Sequence, residues 1–153
     1  LQQTPLALDD EWRKIPKSLR DQPELLQAYC SILASKNRSQ DALHLIQKRL
    51  KRHWEPSLLA CYAEYASSNN IDYLLRAESW LNKKGNDPLL LRCLGHLSVK
   101  NNMLAKAEQY YKRSLKQKPS RESYCLLAEL SELNDNLLEA NTYYKKALVT
   151  ESI

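Results

Sequence analysis

The chain reads as an all-α protein made of helical hairpins stacked in series, and three observations point there. The stretch from Pro88 to Pro119 is copied downstream: Leu91, Leu94 and Gly95 return 33 residues later as Tyr124, Leu127 and Ala128, and Ala107 and Tyr111 return as Ala140 and Tyr144. Apolar residues follow the three-and-four spacing of a buried helix face, and no strand-like alternation interrupts them. Only two glycines occur among 153 residues, so the breaks between apolar stretches fall to asparagine, aspartate and proline instead. One hairpin cannot bury its own apolar face. Repeated units therefore stack on one another and leave a curved, hollow surface.

Each repeated position has a packing reason. Gly95 and Ala128 sit on the first helix of a pair, where a small side chain lets the second helix approach; Ala107 and Ala140 do the same from the other side. Leu91 with Leu94, and Tyr124 with Leu127, supply apolar faces, while Tyr111 and Tyr144 reach toward the neighbouring unit. Asn101-Asn102 and Asn134-Asp135 separate the helices, because their side chains bond local backbone and tolerate a left-handed conformation. The Leu-x-x-Leu-Gly text at Leu91 to Gly95, with the later Ala107, Tyr111 and Pro119, resembles the tetratricopeptide repeat of about 34 residues. That resemblance implies a right-handed superhelix whose first helices line the concave face.

In chain order, residues 1–22 form a lead-in. Leu1 to Leu8 with Pro5 precede an acidic helix start at Asp9, Asp10 and Glu11. Pro16 interrupts that helix. Trp12, Ile15 and Leu19 share a face expected to cover the open end of the array. Repeat 1 spans 23–55, with Leu26, Tyr29, Cys30 and Leu33 on its first helix, a turn at Asn37 to Gln40, and Ala42, Leu45, Ile46 and Leu50 inward on its second. Repeat 2, at 56–86, is irregular: Asn69, Asn70 and Asp72 lengthen its turn, and Gly85 is placed as a left-handed cap. Repeats 3 and 4 span 87–120 and 121–153, giving a single domain over 1–153.

Beyond the generic repeat, the text from Trp12 to Leu148 resembles the C-terminal region of HemY, a haem-biosynthesis-associated protein family of bacteria. The segments that carry this are Trp12 to Arg20, Leu50 to Trp54 followed by Leu58 and Tyr62, Ala77 to Leu81, and Asp87 to Gly95. The resemblance implies an inner-membrane protein anchored by an N-terminal region that this chain does not include. It also implies a repeat domain on the cytoplasmic side and a role beside late haem-biosynthesis enzymes. The family supplies no catalytic motif to carry over.

Candidate chemistry is sparse. Cys30, Cys61, Cys93 and Cys125 fall 31, 32 and 32 residues apart, one on each first helix. Stacked helices lie about 8–10 Å apart, so small buried thiols fit better than a metal site or disulfides, which need Cα atoms within about 7 Å. His44, His53 and His96 raise haem ligation as an alternative, yet no Cys-x-x-Cys-His text exists. No metal or cofactor is assigned. Phosphate-binding glycine loops and nucleophile motifs are absent, so the reading is non-enzymatic.

The charge balance is +5, with 23 basic against 18 acidic residues. It is uneven: residues 87–120 hold seven basic and two acidic side chains, and 121–153 hold three basic and six acidic. Basic residues near second-helix ends complement helix dipoles, which is preferred over a nucleic-acid patch. The groove is the expected binding site. Arg92, His96 and Lys100 lie one turn apart on the first helix of repeat 3, opposite Glu122, Cys125, Glu129 and Glu132 of repeat 4. They are expected to meet an acidic feature of a protein or peptide; the alternative for these cations is internal pairing with Glu129 and Glu132. Apolar array ends also allow a homodimer through Trp12 or through Tyr143 and Tyr144.

Overall fold

Prolines mark helix starts throughout the chain. Pro23 and Pro88 each occupy the first helical turn, where the missing N–H has no intrahelical partner to lose and the fixed φ already suits a helix. The computed structural model describes the backbone of residues 5–150 and the side chains of residues 7–150. Its helices are α1 (Pro5–Lys14), α2 (Lys17–Arg20), α3 (Pro23–Ser35), α4 (Ser39–Arg52), α5 (Leu59–Tyr65), α6 (Ile71–Lys84), α7 (Pro88–Lys100), α8 (Leu104–Gln117), α9 (Arg121–Leu133) and α10 (Leu137–Val149). A single 3-10 turn, Pro56–Leu58, precedes α5. No strand occurs among the described residues, and the fold is a tetratricopeptide-type helical repeat. Residues 1–4 of the lead-in and 151–153 of the last repeat lie outside the described residues.

Three hairpin turns share one chemistry. At the ends of α3, α7 and α9, Asn37, Asn102 and Asp135 adopt φ of 60°, 55° and 57°. The next N–H then reaches back five residues: Arg38 to the Leu33 carbonyl at 2.9 Å, Met103 to Ser98 at 2.9 Å, Asn136 to Ser131 at 2.8 Å. A second bond in each turn runs from the left-handed residue itself to Ala34, Val99 or Glu132. This is the Schellman arrangement, built with Asn or Asp where glycine is more usual. Asn69 also has positive φ, 57°, but its N–H goes to the carbonyl of Lys100 at 3.0 Å. Gly85 follows α6 with φ 61° and ψ −150°. It therefore is not the left-handed cap expected there: φ is positive, but ψ is extended, a combination essentially reserved for glycine.

The chain divides into two compact units, 1–65 and 66–153, with the division inside the stretch read as repeat 2. In the first unit, α3 and α4 form a hairpin around Leu26, Tyr29, Cys30, Leu33, Ala42, Leu43, Ile46 and Leu50, all buried. Leu43 takes the inward position expected for Leu45, which is only half-buried. The lead-in packs differently from the sequence expectation. Helix α1 starts at Pro5, so Asp9 to Glu11 fall past its first turn. Asp9 instead anchors the helix: its carboxylate accepts from the Tyr29 hydroxyl at 2.9 Å and from both terminal nitrogens of Arg38 at 2.9 and 3.0 Å. Trp12 stacks on the Tyr29 ring, with centroids 4.0 Å apart and planes 4° from parallel. Leu8 joins this cover, whereas Leu19, on the short helix α2, is exposed.

In the second unit, α7 is the most deeply buried helix, with Leu90, Leu91, Cys93, Leu94, Gly95, Leu97 and Ser98 all enclosed. Gly95 has a direct packing cause: a Cβ placed there would lie 2.1 Å from Cε1 and 2.4 Å from Cδ1 of Tyr111. The Tyr111 ring uses the space that the missing methyl leaves, and on its other side joins a core of Ala107, Leu127 and Leu130. At the corresponding place in the last hairpin, Ala128 carries that methyl, and Tyr144 is only half-buried. Tyr124 is half-buried as well, while Leu127, Ala128 and Ala140 are enclosed. Helix α10 is the contrast to α7, since only Ala140 and Ala147 of its residues are buried.

Buried hydroxyls are satisfied locally. Ser98 and Ser131 donate to the carbonyls one turn back, Leu94 at 2.7 Å and Leu127 at 2.9 Å, and Ser114 ties α8 to the Pro88 carbonyl at 2.9 Å. Tyr110 does more than flank Tyr111. Its hydroxyl donates to Glu78 at 2.6 Å, and Lys106 reaches the same carboxylate at 2.5 Å. Burial opposes the charge on Glu78, but these two hydrogen bonds outweigh it and hold the carboxyl below its ordinary range.

Candidate interaction face

The outward side of α7 carries the residues that do not pack. Leu91, Leu94 and Gly95 are enclosed, and Arg92, His96 and Lys100 fall one turn apart on another side of the helix, His96 exposed and the two cations half-buried. Their surroundings differ from one another. Arg92 is half-buried, and its Nη1 lies 3.8 Å from Glu122 Oε2 on α9. At that length the pair is a Coulombic contact rather than a hydrogen bond. His96 is exposed along one edge while its ring meets Tyr111 edge-on, centroids 5.9 Å apart and 78° between planes. Crowding of the ring, together with Lys100 and Arg92, pushes its pKa below 6.5. The imidazole is therefore neutral at pH 7, so the face presents two cations around a neutral donor–acceptor ring.

Lys100 also serves the backbone. Its Nζ donates to the Ala66 carbonyl at 2.8 Å, fixing the strand of chain that leads into α6. Across from these groups, α9 exposes Glu122, Glu129 and Glu132. The carboxylate that meets Arg92 is Glu122, one of the acidic residues expected on the facing helix. Glu132 lies near the Tyr144 phenol, whose pKa is raised by desolvation first and by this carboxylate second.

The cysteines are all free. Cys30 and Cys93 are buried and Cys61 and Cys125 half-buried. Burial pushes the Cys30 thiol up to about 12, with Cys61 adding to the effect, and pushes the enclosed Cys93 thiol up as well. Among the described residues, no group of three or more His, Cys, Asp or Glu side chains converges on a metal position. No helix of the described residues is long and apolar enough to cross a membrane.

Solved structures supply the comparison. A MamA chain running from position 41 to its end, from Desulfovibrio magneticus RS-1, superimposes with a TM-score of 0.60, covering 93% of this chain and 84% of that one at 16% identity. The chain shares the MamA fold. A second MamA crystal structure gives 0.56 over 93% of this chain and 87% of the other, again at 16% identity. A MamA RS-1 double mutant gives 0.55 over 94% and 82%, at 17% identity. The MamA chains are tetratricopeptide-type helical-repeat proteins, and at this identity the likeness carries the architecture. No protein-family model matches the sequence, and no curated protein matches it.

Proposed function

We propose that this chain is a non-enzymatic interaction scaffold that holds a peptide segment of another protein against the outward faces of α7 and α9. The observation that carries the reading is the mixed-charge strip itself. Arg92, His96 and Lys100 stand beside Glu122, Glu129 and Glu132, and the ion pair from Arg92 to Glu122 across the strip is long. A loose exposed pair contributes about 0–1 kcal/mol, so a partner carboxylate can displace Glu122 from Arg92 at little cost. The deep repeat core behind the strip keeps it rigid, which limits the ordering entropy lost on binding.

The resemblance of Trp12 to Leu148 to HemY supports a more specific setting: partners among late haem-biosynthesis enzymes, at the bacterial inner membrane, with this domain on the cytoplasmic side. The test has two parts. Crosslinking the full-length protein in cells identifies a partner, and the purified partner is then measured against an Arg92→Ala/His96→Ala variant. Lys100 is left in place because it anchors Ala66. A loss of at least tenfold in affinity is expected; wild-type affinity in a folded variant refutes the assignment of this face.

Self-association belongs to the same reading, with a second copy on α10. Leu137, Leu138, Leu148 and Val149 are 71–84% exposed. Set antiparallel to its own copy, α10 would bring Leu137 against Leu148 and Glu139 against Lys146, a self-complementary arrangement of the kind a two-fold interface requires. Trp12, in contrast, is occupied by its stack on Tyr29. Sedimentation equilibrium should show a dimer for the natural sequence and a monomer for Leu138→Glu/Leu148→Glu; a monomer in both removes this part of the proposal.

A further inference from the structure

Five cations of the first unit line one pocket beside a single carboxylate. Leu45, Lys48, Arg49 and Arg52 follow one another at three, four and seven residues along α4 and so share a face. Helix α2 brings Lys17 and Arg20 to the same place, and Trp12 and Leu26 complete a pocket of about 300 Å³, with Asp21 at its edge as the one acidic lining residue. None of the five cations takes part in an ion pair among the described residues. Two of them are committed more deeply: Arg20 Nε and Arg49 Nε are buried and make no hydrogen bond to any described residue.

A bland account exists for part of this. Arg49 and Arg52 lie in the last turn of α4, where cations offset the negative end of the helix dipole. For Lys17 and Arg20 that account is weak, because α2 is a single turn of four residues with little dipole to offset, and it does not use the buried Nε groups. A buried guanidinium N–H without an acceptor is unfavourable by about 1–3 kcal/mol, and the like charges repel one another besides. Exposure of Lys17, Lys48 and Arg52 softens the repulsion in isolation. The arrangement becomes favourable once an anion supplies the acceptors.

We propose that this pocket binds an anion carrying more than one phosphoryl group. Two guanidinium forks match phosphate oxygens in the bidentate geometry that arginine favours, and the three further cations exceed what a single phosphate would neutralise. The volume, about ten times the 30 Å³ share of one water, leaves room for several phosphoryl groups. The site is distinct from the α7–α9 face, lies wholly within the first unit, and does not depend on the interaction reading above.

The test titrates the full chain with sodium tripolyphosphate, inorganic phosphate and ATP by calorimetry, and measures its flotation with phosphatidylcholine vesicles carrying a phosphatidylinositol bisphosphate. Tripolyphosphate is expected to bind at least tenfold tighter than inorganic phosphate. Tighter binding of ATP would assign the Trp12 wall to a base, and binding to vesicles alone would assign the same phosphoryl chemistry to a lipid headgroup. Two variants localise the effect. Arg20→Gln/Arg49→Gln removes the buried forks, and Lys17→Gln/Arg52→Gln changes only exposed groups, so at least one keeps its fold. Both should lose tenfold or more, while Lys116→Gln/Lys118→Gln at the end of α8 should not. Equal affinity for phosphate and tripolyphosphate, no binding by any probe, or equal losses in the α8 variant overturns the assignment.

Discussion

Replacing Gly95 by alanine tests the packing on which the second unit rests. The added methyl would sit 2.1 Å from the Tyr111 ring, far inside any van der Waals contact, and the ring is 2% exposed and held by Ala107, Leu127 and Leu130. Forcing a methyl into such a core costs about 1–3 kcal/mol. Against this, alanine in a helix interior is favoured over glycine by up to about 1 kcal/mol. The difference leaves a net destabilisation of up to about 2 kcal/mol, which for a chain of this length lowers Tm by several degrees. Urea and thermal unfolding followed by circular dichroism would measure it. The decisive comparison adds Tyr111→Leu, which vacates the ring's space: the double variant should be more stable than the sum of the two singles by about 1–3 kcal/mol. An alanine variant as stable as the natural sequence, or strict additivity in the double, refutes the account.

Further expectations follow from the turns, the lead-in and the thiols. Asn102→Ala should destabilise by about 1 kcal/mol, because a Cβ without a local hydrogen bond is disfavoured at φ 55°, whereas Asn102→Gly should be near neutral in the same unfolding assay. Hydrogen bonds from Arg38 and Tyr29 hold the Asp9 carboxyl below its ordinary 3.8. Its contribution is therefore fully present above the unfolded value and lost as pH falls through the folded one. The stability gap between natural sequence and Asp9→Asn should be constant above about pH 5 and narrow below it, read from urea midpoints across pH. Iodoacetamide should leave Cys30 and Cys93 unmodified in the folded protein and label them in urea, since burial disfavours their thiolates; labelling at the native rate of an exposed thiol would contradict their placement.

Local rules made much of this structure legible. The Asn-Asn and Asn-Asp pairs gave the turns because few residues tolerate positive φ, and the return of Gly95 as Ala128 gave the close helix approach. What escaped was set by distant partners. Nothing in the neighbourhood of Tyr110 names Glu78, which lies 32 residues earlier on another helix. Leu43 and Leu45 fit the period of α4 equally well, and only packing against α3 chose between them. Pro5 was legible as a helix start in principle, but the acidic run at Asp9 to Glu11 drew the boundary past it, although Asp9 is an anchor for Tyr29 and Arg38 rather than a dipole partner. The basic pocket went unread because its two halves, on α2 and α4, each look like ordinary surface charge. On the α7–α9 face, periodicity alone placed Arg92, His96 and Lys100 in a row, but it could not assign Glu122 to Arg92 or Ala66 to Lys100.

The uneven enclosure of α7 and α10 sets an order in which the second unit comes apart. In an array whose members touch only their neighbours, α10, seated on two alanines, opens at smaller free energy than the enclosed α7. Amide protons of α10 should thus exchange first and those around Leu94 last. The chain keeps an intact inner hairpin while its last helix comes and goes.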